Sequence, residues 1–216
     1  MRVHTLYEPV GYGYQPGTPG KPITFAYPED KERMVEDIKC ARALADVVIV
    51  WQHAGVVHVH AMIAMYQKEI AYLAIDAGAD IVFQHHAHML KGIETYKGKT
   101  IFYGLGNFAF EQEPFLEKRE RREVEEYYGI TIEPGWEAYP FPEESRNTIA
   151  VRCIISDKKM QKVTYLPGYI NRNAQTEILS RKDERGEKVY QYIEEISQHE
   201  KLNSKFRWDG DEVAIQ

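Results

Sequence analysis

Cysteine is nearly absent from this chain. Its 216 residues contain only Cys40 and Cys153. Neither has a second thiol at metal-ligand spacing, which excludes a thiolate zinc site and a disulfide framework. The pair reads as two isolated buried thiols, with a single disulfide as the alternative. Long hydrophobic runs are missing too: none approaches the roughly 18 apolar residues of a membrane span. The start, Met1-Arg-Val-His-Thr-Leu-Tyr7, carries no apolar signal-peptide core, so the expectation for the chain as written is cytoplasmic. Basic excess is also lacking. Lys and Arg number 27 against 33 Asp and Glu, a net charge of −6, which argues against a nucleic-acid partner. An acidic chain still accepts an anionic small-molecule or polymer substrate where metal ions supply local positive charge. No P-loop, Gly-x-Ser-x-Gly, His-Glu-x-x-His or Cys-x-x-Cys pattern occurs, and Gly104-Leu-Gly106 is too short for a phosphate loop.

What is present is an α/β pattern. Arg2–Tyr7 reads as a strand, and Gly11–Pro22, with four glycines and three prolines, as a loop. Pro28-Glu-Asp opens a helix with proline and acids in its first turn. Val47–Trp51 is apolar on both faces, the pattern of a central parallel strand. Ala61–Ala77 is a second helix, closed by Gly78, and Ile81–Phe83 a second buried strand. Strand, helix and strand form a βαβ unit, which makes the two strands parallel. A hairpin turns at Lys97-Gly98. Residues 111–146 form a charged, Tyr- and Pro-rich excursion, helical over Pro114–Tyr127 and a surface segment beyond. Thr148–Ser156 and Lys162–Leu166 suit an antiparallel pair, Asp183–Gln198 a helix, and Glu212–Ile215 a last strand. The whole reads as a single domain over residues 1–216.

Histidine is concentrated. Three of the eight fall in His85-His-Ala-His88, directly after a buried strand, and His53 follows the strand before it. Imidazole is the commonest neutral metal ligand. In parallel neighbouring strands, roughly 4.8 Å apart, the carboxyl ends share one sheet edge, where ligand sites of open α/β sheets lie. His53 and the 85–88 cluster should therefore converge. Alternation in an extended segment puts His86 and His88 on one face, so His53, His86 and His88 are the candidate metal ligands. His85 points the other way, toward the substrate or the ligands' outer contacts. His58 and His60 alternate beyond His53; His58 is a candidate substrate contact, against a half-exposed loop residue. Asn107 borders the site, either as a turn residue or as an amide that orients substrate. His4 and His199 read as surface residues.

Three segments carry a resemblance: Asp46-Val-Val-Ile-Val-Trp-Gln-His-Ala-Gly55; Ala74 through Glu94, which contains Phe-Gln-His-His-Ala-His; and Lys99-Thr-Ile-Phe-Tyr-Gly-Leu-Gly-Asn-Phe-Ala-Phe110. In order and spacing they resemble the CapA family of poly-γ-glutamate capsule biosynthesis, whose fold is calcineurin-like. The resemblance implies a four-layer α/β/β/α sandwich around two divalent metal ions (Mn, Fe or Zn). It implies His53, His86 and His88 as ligands, His85 as the alternative ligand or an aid to the leaving group, and hydrolysis of a phosphoester by metal-activated water. Ala54, Gln84 and Ala87 stand where the family usually has Trp, Gly and Pro. The N-terminal half of the family fold, which supplies the Asp and Asn ligands, is expected to be absent. The chain is then read as the C-terminal portion, completed by a partner chain carrying that half or acting as a non-catalytic assembly subunit of surface-polymer synthesis.

Overall fold

The structure is a computed structural model, and it describes residues 1–8, 21–110, 121–128 and 131–216. Two strands, β1 (Val3–Glu8) and β2 (Lys21–Ala26), form an antiparallel ribbon. Lys21 and Pro22 are thus in a strand. The remainder of the expected Gly11–Pro22 loop lies outside the described residues.

Helix α1 (Pro28–Leu44) starts as the sequence dictates: proline occupies the first turn beside Glu29 and Asp30. The Asp30 carboxylate accepts from the Arg2 side chain and backbone N–H, which ties the helix start to β1. Those bonds hold its acid at about 2, below the ordinary carboxylate range.

The central sheet has the order β3-β4-β6-β5. It comprises β3 (Ile49–Ala54), β4 (Ile81–His86), β5 (Ile93–Tyr96) and β6 (Lys99–Phe102). Helix α2 (Met65–Ala77) joins β3 to β4, and the two strands are parallel immediate neighbours. The βαβ expectation therefore holds, with two corrections. The helix begins at Met65, after a loop that runs from Gly55. And β3 is an edge strand among the described residues: Ile49 and Trp51 are 51% and 62% exposed. An all-apolar strand normally marks a sheet interior; here one face of the pattern is left uncovered.

Helices α1 and α2 cover one face of this sheet. Ile38, Ala71, Ala74 and Ile75 pack on Val82, Ile101 and Tyr103. At the base, Asp80 accepts from the Val48 backbone and pairs with Arg42 (2.6 Å) and Lys99.

The other face meets a second, antiparallel sheet of order β10-β11-β8-β7, with β9 also on β8. Its strands are β7 (Asn147–Ser156), β8 (Lys159–Ile170), β9 (Thr176–Ile178), β10 (Phe206–Asp209) and β11 (Glu212–Ile215). Ahead of β7, α3 (Arg121–Tyr128) precedes a 3-10 turn, Glu143–Arg146, and α4 (Glu184–His199) follows β9. Ile81, Phe83 and Phe102 from the first sheet share one core with Tyr165 and Val213 from the second and with Val189, Ile193 and Ile196 of α4.

Two further expectations are corrected. Cys40 is exposed on α1 and both cysteines are free. The excursion is not a surface segment throughout: Ile132, Trp136 and Tyr139 are buried, because Trp136 and Tyr139 pack on Ile170. Of the helix expected over Pro114–Tyr127, the part before Arg121 lies outside the described residues.

Candidate functional site

The histidines meet at the carboxyl ends of β3 and β4. Register places His53 beside His85 and Ala54 beside His86. Trp51 and Phe83 lie one step down the same face, rings 5.4 Å apart. The four imidazoles form one cluster: ring centroids are 4.6 Å apart for His53–His86, 6.3 Å for His53–His85, 6.2 Å for His85–His88 and 6.3 Å for His86–His88. The strand end bends sharply here. His86 has φ 154° and His88 φ 54°, positions costing about 1–3 kcal/mol each where a side chain is present. Such strain persists only where the surroundings hold it: the His58 N–H donates to the Ala87 carbonyl at 3.1 Å between the two, and a second loop holds the rings.

That loop is Gly104–Asn107, which follows β6. His85 Nε2 donates to the Gly106 carbonyl at 2.9 Å. His88 Nδ1 contacts Asn107 Oδ1 at 2.9 Å, and Asn107 Nδ2 donates to the Tyr139 oxygen at 2.7 Å. Asn107 is 3% exposed, so a substrate contact there would require it to give up both bonds. Gly106 has φ +73°, and a Cβ there would sit 2.9 Å from the Asn147 carbonyl.

His53 Nε2 and His86 Nδ1 are 2.7 Å apart. Only one of the two nitrogens can carry the shared proton. Burial lowers the pKa of His86, helped by the neighbouring His53, His88 and His85. Burial likewise lowers His85. Neutral imidazoles are the form that binds metal. Two imidazoles holding one ion at about 2.1 Å in tetrahedral geometry stand about 3.4 Å apart, so this pair would have to open by roughly 0.7 Å. Among the described residues no group of three or more His, Cys, Asp or Glu side chains is arranged to hold a metal ion. The described residues thus present a cluster of imidazole nitrogens without a closed donor set.

His58 is half-buried against Phe141 and His88, with ring centroids 5.3 and 5.9 Å away. Its Nε2 is buried without a partner among the described residues. Burial, then His88 and Lys91, brings its pKa down to about 4. His60 points away, into Glu144 and Glu195.

Sequence reasoning missed three residues. Lys91 is 1% exposed, donates to the Val59 carbonyl and is lowered to about 8 by burial. Tyr139 closes the His88–Asn107 chain from 32 residues away, with no local signal. Tyr66 accepts from the Gly55 backbone at 2.9 Å and holds the loop after His53; its place at the start of α2 was the available clue.

The fold and site define an α/β protein with a histidine-lined sheet edge at the end of a βαβ unit. Residues 7–112 match the family model of the bacterial capsule synthesis protein PGA_cap, and over this part the chain is similar to the CapA family. Similar proteins include the PGA biosynthesis protein CapA of Bacillus subtilis, 39% identical over 102 residues, which are 47% of this chain and 25% of that protein. The capsule biosynthesis protein CapA of Bacillus anthracis is 43% identical over 68 residues, 32% of this chain and 16% of that protein. A probable polyglutamine synthesis accessory protein of Mycobacterium tuberculosis is 34% identical over 98 residues, 43% of this chain and 26% of that protein. The chain therefore spans about a quarter or less of the curated relatives it matches. No helix among the described residues is long and apolar enough to cross a membrane.

Proposed function

We propose that this chain is a CapA-like protein of capsule or poly-γ-glutamate biosynthesis and that its histidine edge is one side of a metallophosphoesterase-type site. The observation that carries the reading is the direct approach of His53 and His86 from adjacent parallel strands. Their ring nitrogens are the donor type a divalent Mn, Fe or Zn ion takes. His88 joins them as a third ligand, His85 lies beside the leaving group of an anionic substrate, and His58 lines the approach, with Asn107 reaching substrate only by releasing His88 and Tyr139. A metal held there supplies Lewis acidity and an activated water for hydrolysis. The oxygen ligands such an ion needs come, in this reading, from a partner segment that completes the four-layer sandwich along the open edge of β3. The exposed Ile49 and Trp51 and a groove of about 670 Å³ between β3, α1 and Val3 support that placement.

The second reading is a non-catalytic binding or assembly subunit of surface-polymer synthesis. It is favoured by the unclosed donor set and by Gln84, Ala54 and Ala87, all buried. Metal analysis of the purified chain after equilibration with Mn²⁺ or Zn²⁺ separates the two. Bound metal that falls at least tenfold in the double variant His86→Ala, His88→Ala supports the site. Unchanged stoichiometry in that variant removes it. Phosphodiesterase and phosphomonoesterase assays with Mn²⁺ then distinguish an enzyme from a scaffold.

A further inference from the structure

Tyr139 lies outside every motif, yet its hydroxyl ends a chain of hydrogen bonds that begins at His88. The direction of each bond follows from which groups can donate. Tyr139 is fully buried, and burial pushes its phenol up, so it keeps its proton. The Ser145 backbone carbonyl, 2.8 Å away, can only accept. The phenol proton therefore goes to Ser145, and the phenol oxygen is left as an acceptor. Asn107, 2.7 Å away on the other side, must present its NH₂ end to that oxygen. A reversed amide would set two acceptors against each other, a buried mismatch costing on the order of 1–3 kcal/mol. With the amide so oriented, Asn107 Oδ1 faces His88 Nδ1 at 2.9 Å. A carbonyl oxygen accepts only, so Nδ1 carries the proton and Nε2 carries the lone pair.

We infer that Tyr139 is a positioning residue: acting through Asn107, it fixes His88 in the Nδ1–H tautomer and leaves Nε2 as its basic nitrogen. The anchor behind it is firm. Ser145 sits in the 3-10 turn, its N–H donating to the Pro142 carbonyl at 2.9 Å. The adjoining Arg146 is ion-paired to Glu133 at 2.8 Å and lies over the Trp136 ring at 3.6 Å. This gives the second half of the 111–146 excursion a task at the histidine edge. The same loop handles His85 by a different device. The Gly106 carbonyl takes the proton of its Nε2, so the two histidines keep opposite ring nitrogens unprotonated. Ligating histidines characteristically donate their second nitrogen to a fixed acceptor, and His88 has that acceptor before any ion arrives. The value of a free Nε2 rests on the function proposed above; the tautomer does not.

The test is long-range ¹H–¹⁵N correlation NMR of the ¹⁵N-histidine-labelled, metal-free chain, which reports which ring nitrogen is protonated. His88 is expected as Nδ1–H. Tyr139→Phe, which keeps the ring and removes the hydroxyl, is expected to shift the tautomer ratio by about fivefold or more, the weight of one net hydrogen bond. Asn107→Asp keeps the acceptor and should keep the Nδ1–H form; Asn107→Leu should release it. An Nε2–H form in the wild type overturns the inference, and this holds even if Tyr139→Phe fails to fold. An unmoved ratio in folded Tyr139→Phe overturns the role of Tyr139. Because no metal is present, loss of the metal-site reading leaves these outcomes unaffected.

Discussion

Gly106 and Asn107 show how much of the histidine edge depends on two residues that carry no chemistry of their own. Gly106 adopts φ +73° because the loop must turn its carbonyl toward His85 while passing close to Asn147. Gly98, at the β5–β6 turn, has nearly the same φ, +74°, with nothing within 4 Å of a Cβ. The two glycines therefore separate strain from collision. Gly98→Ala should cost about 1–2 kcal/mol for the left-handed backbone alone. Gly106→Ala adds a 2.9 Å contact with a backbone carbonyl and should cost at least twice as much, with the His85 ring nitrogen shifts altered. Urea unfolding of both variants measures this, and equal losses would show that the loop moves freely. At this scale the sequence is legible for types and opaque for partners. His53, His85, His86 and His88 announce themselves by spacing. The groups that set their protons, the Gly106 carbonyl and Tyr139 acting through Asn107, do not, because one acts through its backbone and the other arrives from a distant segment.

Elements hold the edge in place through buried polar pairs that sequence patterns cannot display. Gln84 accepts from Gln67 Nε2 at 2.9 Å and donates to Gln52 Oε1 at 2.8 Å and the Gln67 carbonyl at 2.9 Å. Gln67 in turn accepts from the Ala64 backbone at the start of α2. Three glutamines thus bolt β3, β4 and α2 together beneath the histidines. Read from sequence, Gln84 is only a departure from the family's glycine; the structure makes it the centre of this bolt. The βαβ unit was legible because period and caps are local, whereas the edge position of β3 was not, since it depends on what lies beside the strand. A second clasp, on the surface, is pH-sensitive. His60 contacts Glu144 at 3.0 Å and Glu195 at 3.3 Å, tying the loop before α2 to the 3-10 turn and to α4. Tyr192 and His199 also face it. The Glu144 bond, joined by Glu195, raises its pKa. A raised folded-state pKa means the clasp stabilises fully below the unfolded value of about 6.5 and is lost as pH rises through the folded value. Exposure screens it to less than about 1 kcal/mol. His60→Gln should therefore lower Tm by about 1–3 °C at pH 5.5 and by nothing measurable at pH 9. A pH-independent difference would assign the clasp to packing.

Among the described residues, both sheets of the molecule end on open strands. The first sheet stops at β3 and the second at β7, and apolar side chains are exposed on both: Ile49 and Trp51 on the one, Ile154 and Ile155 on the other. Lys158, at the β7–β8 turn, reaches Asp46 just ahead of β3 at 3.4 Å, so the tip of the second sheet lies near the start of β3. An unpaired strand with a large apolar side chain invites another chain. The edge of β3 is long enough for full pairing and carries no lysine, proline or bulge to blunt it. The chain alone should therefore self-associate with rising concentration and bind an apolar dye. Ile49→Lys places a charge on that row four residues from His53, about 13 Å along the strand, and so leaves the histidine edge untouched. Sedimentation velocity should show the monomer fraction of Ile49→Lys exceeding that of the wild type at equal concentration, with dye binding reduced and metal binding unchanged. If the wild type is monodisperse and dark to the dye at high concentration, β3 is covered by this chain's own residues, and the partner segment proposed along it has no place to pair. If lysine abolishes association and metal binding together, the edge and the histidines act as one surface, and the segment that pairs with β3 also bears on the ion.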